Sequence, residues 1–294
     1  MPTAQSLIDD TRRHLLTGHN EELNRLEGAI GPSDLALAVE FDAGGIAPGS
    51  TISVGLEEMH VWALSGQTLE VQRGMNGSTP AAHADGAVVT VRPKFSDFRI
   101  FRALNDDLLD LSSPTNGLFR VETVEATYNA ARNAYDLTGA TNVFGVLDVW
   151  YENLGSSGNW SRLNQWRWLS DVPTSDFASG NAVFLDEGAD PGRSLLIRFK
   201  TTYGQLVTAA DDVETTTGLQ DSAMDLPPLG AAIRLMIGRD VRRSFNEIQG
   251  EPRRAEEVPV GSAMQASRPL IAWRQTRIQA EAGRLASKYR VHTK

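Results

Sequence analysis

The chain has 294 residues, enough for two domains of ordinary size, and its 41% hydrophobic and 22% charged composition is globular, not disordered or collagenous. The absence of cysteine excludes disulfides, thiolate metal sites and cysteine nucleophiles, and a formal net charge of −9 argues against a surface built to grip nucleic acid. No apolar run is long enough for a membrane span, and the opening MPTAQSLIDDTRRHLL lacks the apolar core of a signal peptide, so neither membrane insertion nor signal-directed secretion is expected.

Residues 4–30 place Leu7, Ile8, Thr11, Leu15, Leu23, Leu26 and Ile30 at mostly helical spacing, which predicts one long helix or two short ones. From 35 to 93 the pattern changes to short alternating runs, LALAVEF, TISVGLEEMHVWAL, TLEVQRG and AVVTVRP. Turn pairs such as Gly44-Gly45, Asn76-Gly77 and Asp85-Gly86 separate them, as in a small antiparallel β unit. Residues 95–113 return to helical period with Phe98, Phe101, Leu104, Leu108 and Leu111 on one stripe and Ser96 as N-cap. Strand-sized runs resume over 118–213, from LFRVETVEATY to SLLIRFKTTY, and predict a β-sandwich or jelly roll. After Leu226-Pro227-Pro228 the pattern is helical over 229–248 and again from about 262 to 289.

The expected class is therefore α+β. N-terminal, middle and C-terminal helices form a bundle, with two inserted antiparallel β units, one small and barrel-like and the other a β-sandwich or jelly roll. The corresponding boundaries are 1–34, 35–94, 95–117, 118–225 and 226–294. Within the bundle, Leu229, Ile233, Met236 and Ile237 are expected to face Phe98, Phe101, Leu104 and Leu108.

Catalytic chemistry is sparse. His14, His19, His60, His83 and His292 show no metal-ligand spacing, and the phosphate-binding, dinucleotide-binding and serine-nucleophile motifs are all missing. Asp186, Glu187 and Asp190 read as an acidic turn, because the alternating oxygen ligands of a calcium loop are lacking. No catalytic residue, cofactor or metal is assigned, and an enzyme is not expected. Trp166 and Trp168, at i and i+2 of a strand, share a face; buried they fill a core, exposed they form a stacking platform for sugar rings. In the charged connector, Arg239, Arg242, Arg243, Arg253 and Arg254 interleave with Asp240, Glu247, Glu251, Glu256 and Glu257, either as a self-neutralising surface or, for Arg242, Arg243, Arg253, Arg254, Glu256 and Glu257 in particular, as a seam between subunits.

The segment TLEVQRGMNGSTPAAHADGAVVTVRP resembles one that recurs in virion proteins of tailed bacteriophages. The matching positions are Arg73, Gly74, Asn76, Gly77, Ser78, Thr79, Ala81, Ala82, His83, Gly86 and Val89. The helix FRIFRALNDDLLDLSS is similar to that of head-to-tail adaptor proteins, and the closing helices resemble those of neck proteins in long-tailed phages. The resemblance implies a structural ring of about twelve copies at the head–tail junction of the virion, assembled in the host bacterial cytoplasm. Its implied partners are the portal protein, downstream stopper or tail proteins, and double-stranded DNA that passes through without specific binding; no membrane is involved. The tryptophan cluster supports a second reading, a tail or baseplate component with a carbohydrate-binding β-sandwich.

Overall fold

The computed structural model describes residues 2–15, 21–153, 158–186, 191–249 and 262–289, with side chains described in all of these except 238–249 and 262–266. In chain order the elements are α1 (Ala4–Leu15), β1 (Glu22–Arg25), β2 (Ala36–Ala38), β3 (Thr51–Val54), β4 (Glu57–Ser65), β5 (Thr68–Gln72), β6 (Val88–Val91) and α2 (Asp97–Leu111). There follow β7 (Arg120–Thr127), β8 (Ala134–Asp136), β9 (Gly145–Glu152), β10 (Trp160–Leu163), β11 (Trp166–Ser170), β12 (Asn181–Leu185) and β13 (Ser194–Thr201). The last elements are α3 (Val213–Thr217), α4 (Leu226–Gln249) and α5 (Ser262–Lys288). The protein is α+β, with antiparallel sheets. It divides into two compact units: Met1–Leu108, Gln205–Thr216 and Asp221–Gln275 form the first, and Leu109–Gly204, Thr217–Gln220 and Thr276–Lys294 the second.

In the first unit six strands pair antiparallel in the order β1-β6-β3-β4-β5-β2. Alternation makes them strands: β5 buries Leu69 and Val71 while Thr68, Glu70 and Gln72 point outward. The two edges of the sheet meet, with Glu27 N–H donating to Ala38 O and Glu40 N–H to Arg25 O, each at 2.9 Å. The sheet thus curls into a partly closed barrel around Leu26, Leu37, Ile52, Met59, Leu69 and Val89.

Over 4–30, where one long helix or two short ones are expected, α1 covers Ala4–Leu15 and Glu22–Arg25 is strand instead. Local periodicity misreads this segment because its partner, β6, lies far along the chain. Asn24 settles the strand: its amide oxygen accepts from Phe41 N–H at 3.0 Å and its amide nitrogen donates to Phe41 O at 3.1 Å.

Ser96 caps α2, its hydroxyl accepting from Arg99 N–H at 3.3 Å. The expected pairing of α4 with α2 is corrected, since α4 packs chiefly on α1. α1 buries Ala4, Leu7, Ile8 and Thr11 at helical spacing, and α4 buries Leu229, Ala232 and Ile233, but by Ile237 the stripe is 38% exposed. Towards α4, α2 presents a carboxylate. Asp107, 1% exposed, pairs with Arg274 at 2.7 Å and Arg234 at 3.5 Å. It lies so near Gly230 that a Cβ there would collide with it.

The second unit has a four-stranded sheet, β10-β9-β13-β7, and a three-stranded sheet, β11-β12-β8, both antiparallel. Their inner faces share one core containing Tyr135, Leu137, Val149, Val183, Leu195, Ile197 and Phe199. Along β13 burial alternates without exception, burying Leu195, Ile197, Phe199 and Thr201. Between them Arg198 stands directly across from Asp148 and grips it with two bonds of 2.6 Å, its guanidinium 5.6 Å from the Trp150 ring centre.

Truncation of Ile8 to Ala should cost about 2–5 kcal/mol, as for other fully packed aliphatic residues. Gly230→Ala should also destabilise, although alanine is the better helix former, because the added methyl displaces the Asp107 carboxylate from its arginines. Urea denaturation midpoints test both; a stabilised Gly230→Ala protein would contradict the close approach.

Candidate functional site

β3 and β4 are joined by the two-residue turn Gly55-Leu56, in which Gly55 takes a φ of +54°. The residues after it, Glu57 and Glu58, are each 1% exposed. Successive strand residues point to opposite faces. Glu57, opposite Val54, turns to the barrel interior, and Glu58, opposite Ser53, turns outward.

The inward carboxylate is fully engaged. Arg73 donates from Nε to Oε1 at 2.6 Å and from Nη2 to Oε2 at 2.8 Å, and the backbone N–H groups of Gly74 and Ala81 add bonds of 3.3 and 3.1 Å. His83 Nε2 lies 2.8 Å from Oε2. The rest of the guanidinium reaches the carbonyl oxygens of Gly31 at 2.8 Å, Asp34 at 2.9 Å and Ala81 at 2.6 Å, so all of its N–H groups are in use. Burial pushes the Glu57 carboxyl upward, but the bonds from Arg73, His83 and Ala81 N–H together with the Arg73 charge outweigh it and hold the group below its ordinary 4.5.

Glu58 is held from the other side. Its carboxylate accepts from Ser96 Oγ and from the Asn76 amide and pairs with Arg99 at 3.3 Å, while its backbone N–H donates to Ser78 Oγ at 3.0 Å. Asn76 achieves this from a left-handed backbone with a φ of 56°. Gly74, at a φ of +67°, leaves no room for a Cβ against Pro80 and the Ser78 carbonyl.

Arg73, Gly74, Asn76, Ser78, Ala81 and His83, six of the positions that carry the virion resemblance, therefore converge on two glutamates that sequence reasoning had not singled out. The available signal was an adjacent acid pair inside a strand-like run, GLEEMHV, ahead of an Arg-Gly strand end. With every acceptor position of Glu57 filled, the arrangement is a clamp: no lone pair is left to activate water. Among the described residues no group of three or more His, Asp or Glu is placed to hold a metal ion.

Trp166 and Trp168 lie opposite Leu185 and Val183 in β12 and pack against the core of the second unit, so these rings are half-buried and serve the hydrophobic interior. Arg242 and Arg243 fall in α4, where side chains are not described, and Arg253, Arg254, Glu256 and Glu257 lie outside the described residues. Asp186 pairs with Arg167 at 3.0 Å; Glu187 and Asp190 lie outside the described residues. No protein-family model matches the sequence, and no curated protein is significantly similar to it.

A carboxylate whose pKa is depressed by folding adds stability that is complete above its unfolded value and is lost as pH falls through its folded value. The protein should therefore lose stability on acidification below about pH 4.5, the ordinary glutamate value. Glu57→Gln should cost roughly 3–5 kcal/mol at neutral pH, because it strands the Arg73 charge, and should flatten the acid limb. Denaturation midpoints between about pH 3 and 7 measure both effects; an equally steep acid limb in the variant would assign the linkage to other groups.

Proposed function

We propose that the chain is a structural virion protein of a tailed bacteriophage, assembling with copies of itself into a ring in the head-to-tail connector. In this reading it is an adaptor below the portal protein, seated at the head–tail junction above stopper or tail proteins, and duplex DNA passes through the ring. The helices α1, α2, α4 and α5 supply a bundle that packs laterally between copies, and the β units are insertions in it, the second a jelly roll.

One observation carries the reading. The segment that resembles a recurrent virion motif spends its distinctive side chains on the Glu57–Glu58 clamp, so the motif's composition follows from holding two buried carboxylates in a small barrel. Charge supports it secondarily. A net charge of −9 repels a polyanion, and binding to duplex by counterion release requires clustered free cations.

Cryo-electron microscopy of virions from the phage that encodes the chain tests the proposal, with a ring of this protein at the neck as the expected result. Density at the tail tip, or absence from the particle, would overturn it. Two further outcomes follow. Reversing Arg253 and Arg254 to Glu should block incorporation while leaving the thermal midpoint of the isolated chain unchanged. Anisotropy titration with random-sequence duplex at about 0.15 M salt should show no binding, whereas micromolar, steeply salt-dependent affinity would indicate a protein that grips DNA.

A further inference from the structure

In the second unit, β7 and β8 are the edge strands of the two sheets, and the chain crosses from one sheet to the other between them. At this crossing a cleft of about 600 Å³ opens, within the size range of small-ligand sites. Its floor is aromatic: Tyr128, half-buried, stacks on Tyr135 with ring centres 6.3 Å apart and planes 26° from parallel.

The walls are fixed before any ligand arrives. Asn129 N–H donates to the Tyr135 hydroxyl at 2.9 Å, and the Asn129 side-chain oxygen accepts from Ala131 N–H at 2.9 Å, so the turn that carries Arg132 is anchored on the floor. Also in the lining, Asp136 is held by Ser179 Oγ at 2.6 Å and Thr138 Oγ1 at 2.8 Å, and Asp176 sits in a turn closed by its own N–H to Pro173 O at 3.1 Å.

The Arg132 guanidinium and the Asp176 carboxylate both line the cleft, both are exposed, and neither forms an ion pair within the described residues. Within the described residues the Asn129 side-chain nitrogen is likewise uncommitted. This contrasts with Glu57, Glu58 and Asp148, whose oxygens are all claimed by neighbours.

We propose that this cleft binds a neutral saccharide, one sugar ring lying against Tyr128 with its hydroxyls shared among Arg132, Asp176 and Asn129. The choice of ligand follows by elimination. Two carboxylates disfavour an anion such as a phosphate, an arginine disfavours a cation, and a wholly apolar ligand would leave these polar groups unpaired on desolvation. A sugar supplies what remains: an apolar C–H face for an aromatic ring, and adjacent hydroxyls that both donate and accept. The site lies apart from Trp166 and Trp168, and the inference stands on the second unit alone, independent of where the protein sits in a virion.

A microarray of defined neutral, sialylated and uronate-containing oligosaccharides probed with the labelled full chain tests it, with titration calorimetry on the strongest neutral sugar. At least one neutral oligosaccharide should bind, and Asp176→Asn and Arg132→Ala should each weaken it about tenfold or more, equivalent to about 1.4 kcal/mol. Both residues are exposed, so the melting temperature should not change, and Arg167→Ala, outside the cleft, should bind as the parent does. The proposal is overturned if no neutral saccharide binds, if only charged glycans bind, or if binding survives both cleft variants.

Discussion

Burying a carboxylate costs several kcal/mol unless its oxygens are fully hydrogen-bonded, and at Glu57 and Glu58 that demand falls on two adjacent residues pointing opposite ways. Much of the first unit is arranged to meet it. Satisfying Glu57 brings in Arg73, whose remaining N–H groups fix the carbonyls of Gly31, Asp34 and Ala81, so the loops at that end of the barrel share one rigid centre. Satisfying Glu58 brings in Ser96, which also caps α2. The direction in which α2 leaves the barrel is thus set by the strand, and the direction of α2 in turn places Asp107 against Gly230 and between Arg234 and Arg274. A few bonds in one corner therefore register three helices.

The parts of this design that read out from sequence are those governed by local period. β13 alternates without interruption, α2 shows its stripe and its serine cap, and both features follow from the residues within one element. What was hidden depends on partners distant in the chain. β1 is a strand because β6 pairs with it and because Asn24 brackets Phe41, neither of which leaves a mark on the periodicity of residues 21–30. The packing of α4 on α1 was hidden for a different reason. The apolar stripe predicts that Leu229 and Ile233 are buried but not against what, and the small-residue contact at Gly230 gives a buried acid access that no hydrophobic pattern encodes.

The candidate sites divide in the same way. The residues Arg73 to His83 were visible as a motif, yet their chemistry became legible only when Glu57 and Glu58 appeared opposite them. The tryptophans were visible as a cluster, and pairing with Val183 and Leu185 places them on the inner side of their sheet, where large aromatic rings contribute burial energy. The cleft at Tyr128 had no sequence signal, since Asn129, Arg132 and Asp176 look like ordinary turn residues until the crossing between sheets brings them together.

Whether a charged side chain has spent its hydrogen bonds separates support from recognition in both units. In the first, Arg12 pairs with Asp97, Arg73 with Glu57, Arg99 with Glu58, and Arg234 and Arg274 with Asp107. In the second, Arg198 pairs with Asp148 and Arg167 with Asp186. An arginine bound in this way cancels a neighbouring acid and offers little to a passing phosphate, because releasing a counterion from DNA requires a cation free to replace it. With these arginines paired to acids, they add little to the field felt at a distance, which follows the excess of nine negative charges. The same pairings that stiffen the fold thus take these arginines out of the set of free cations at the surface.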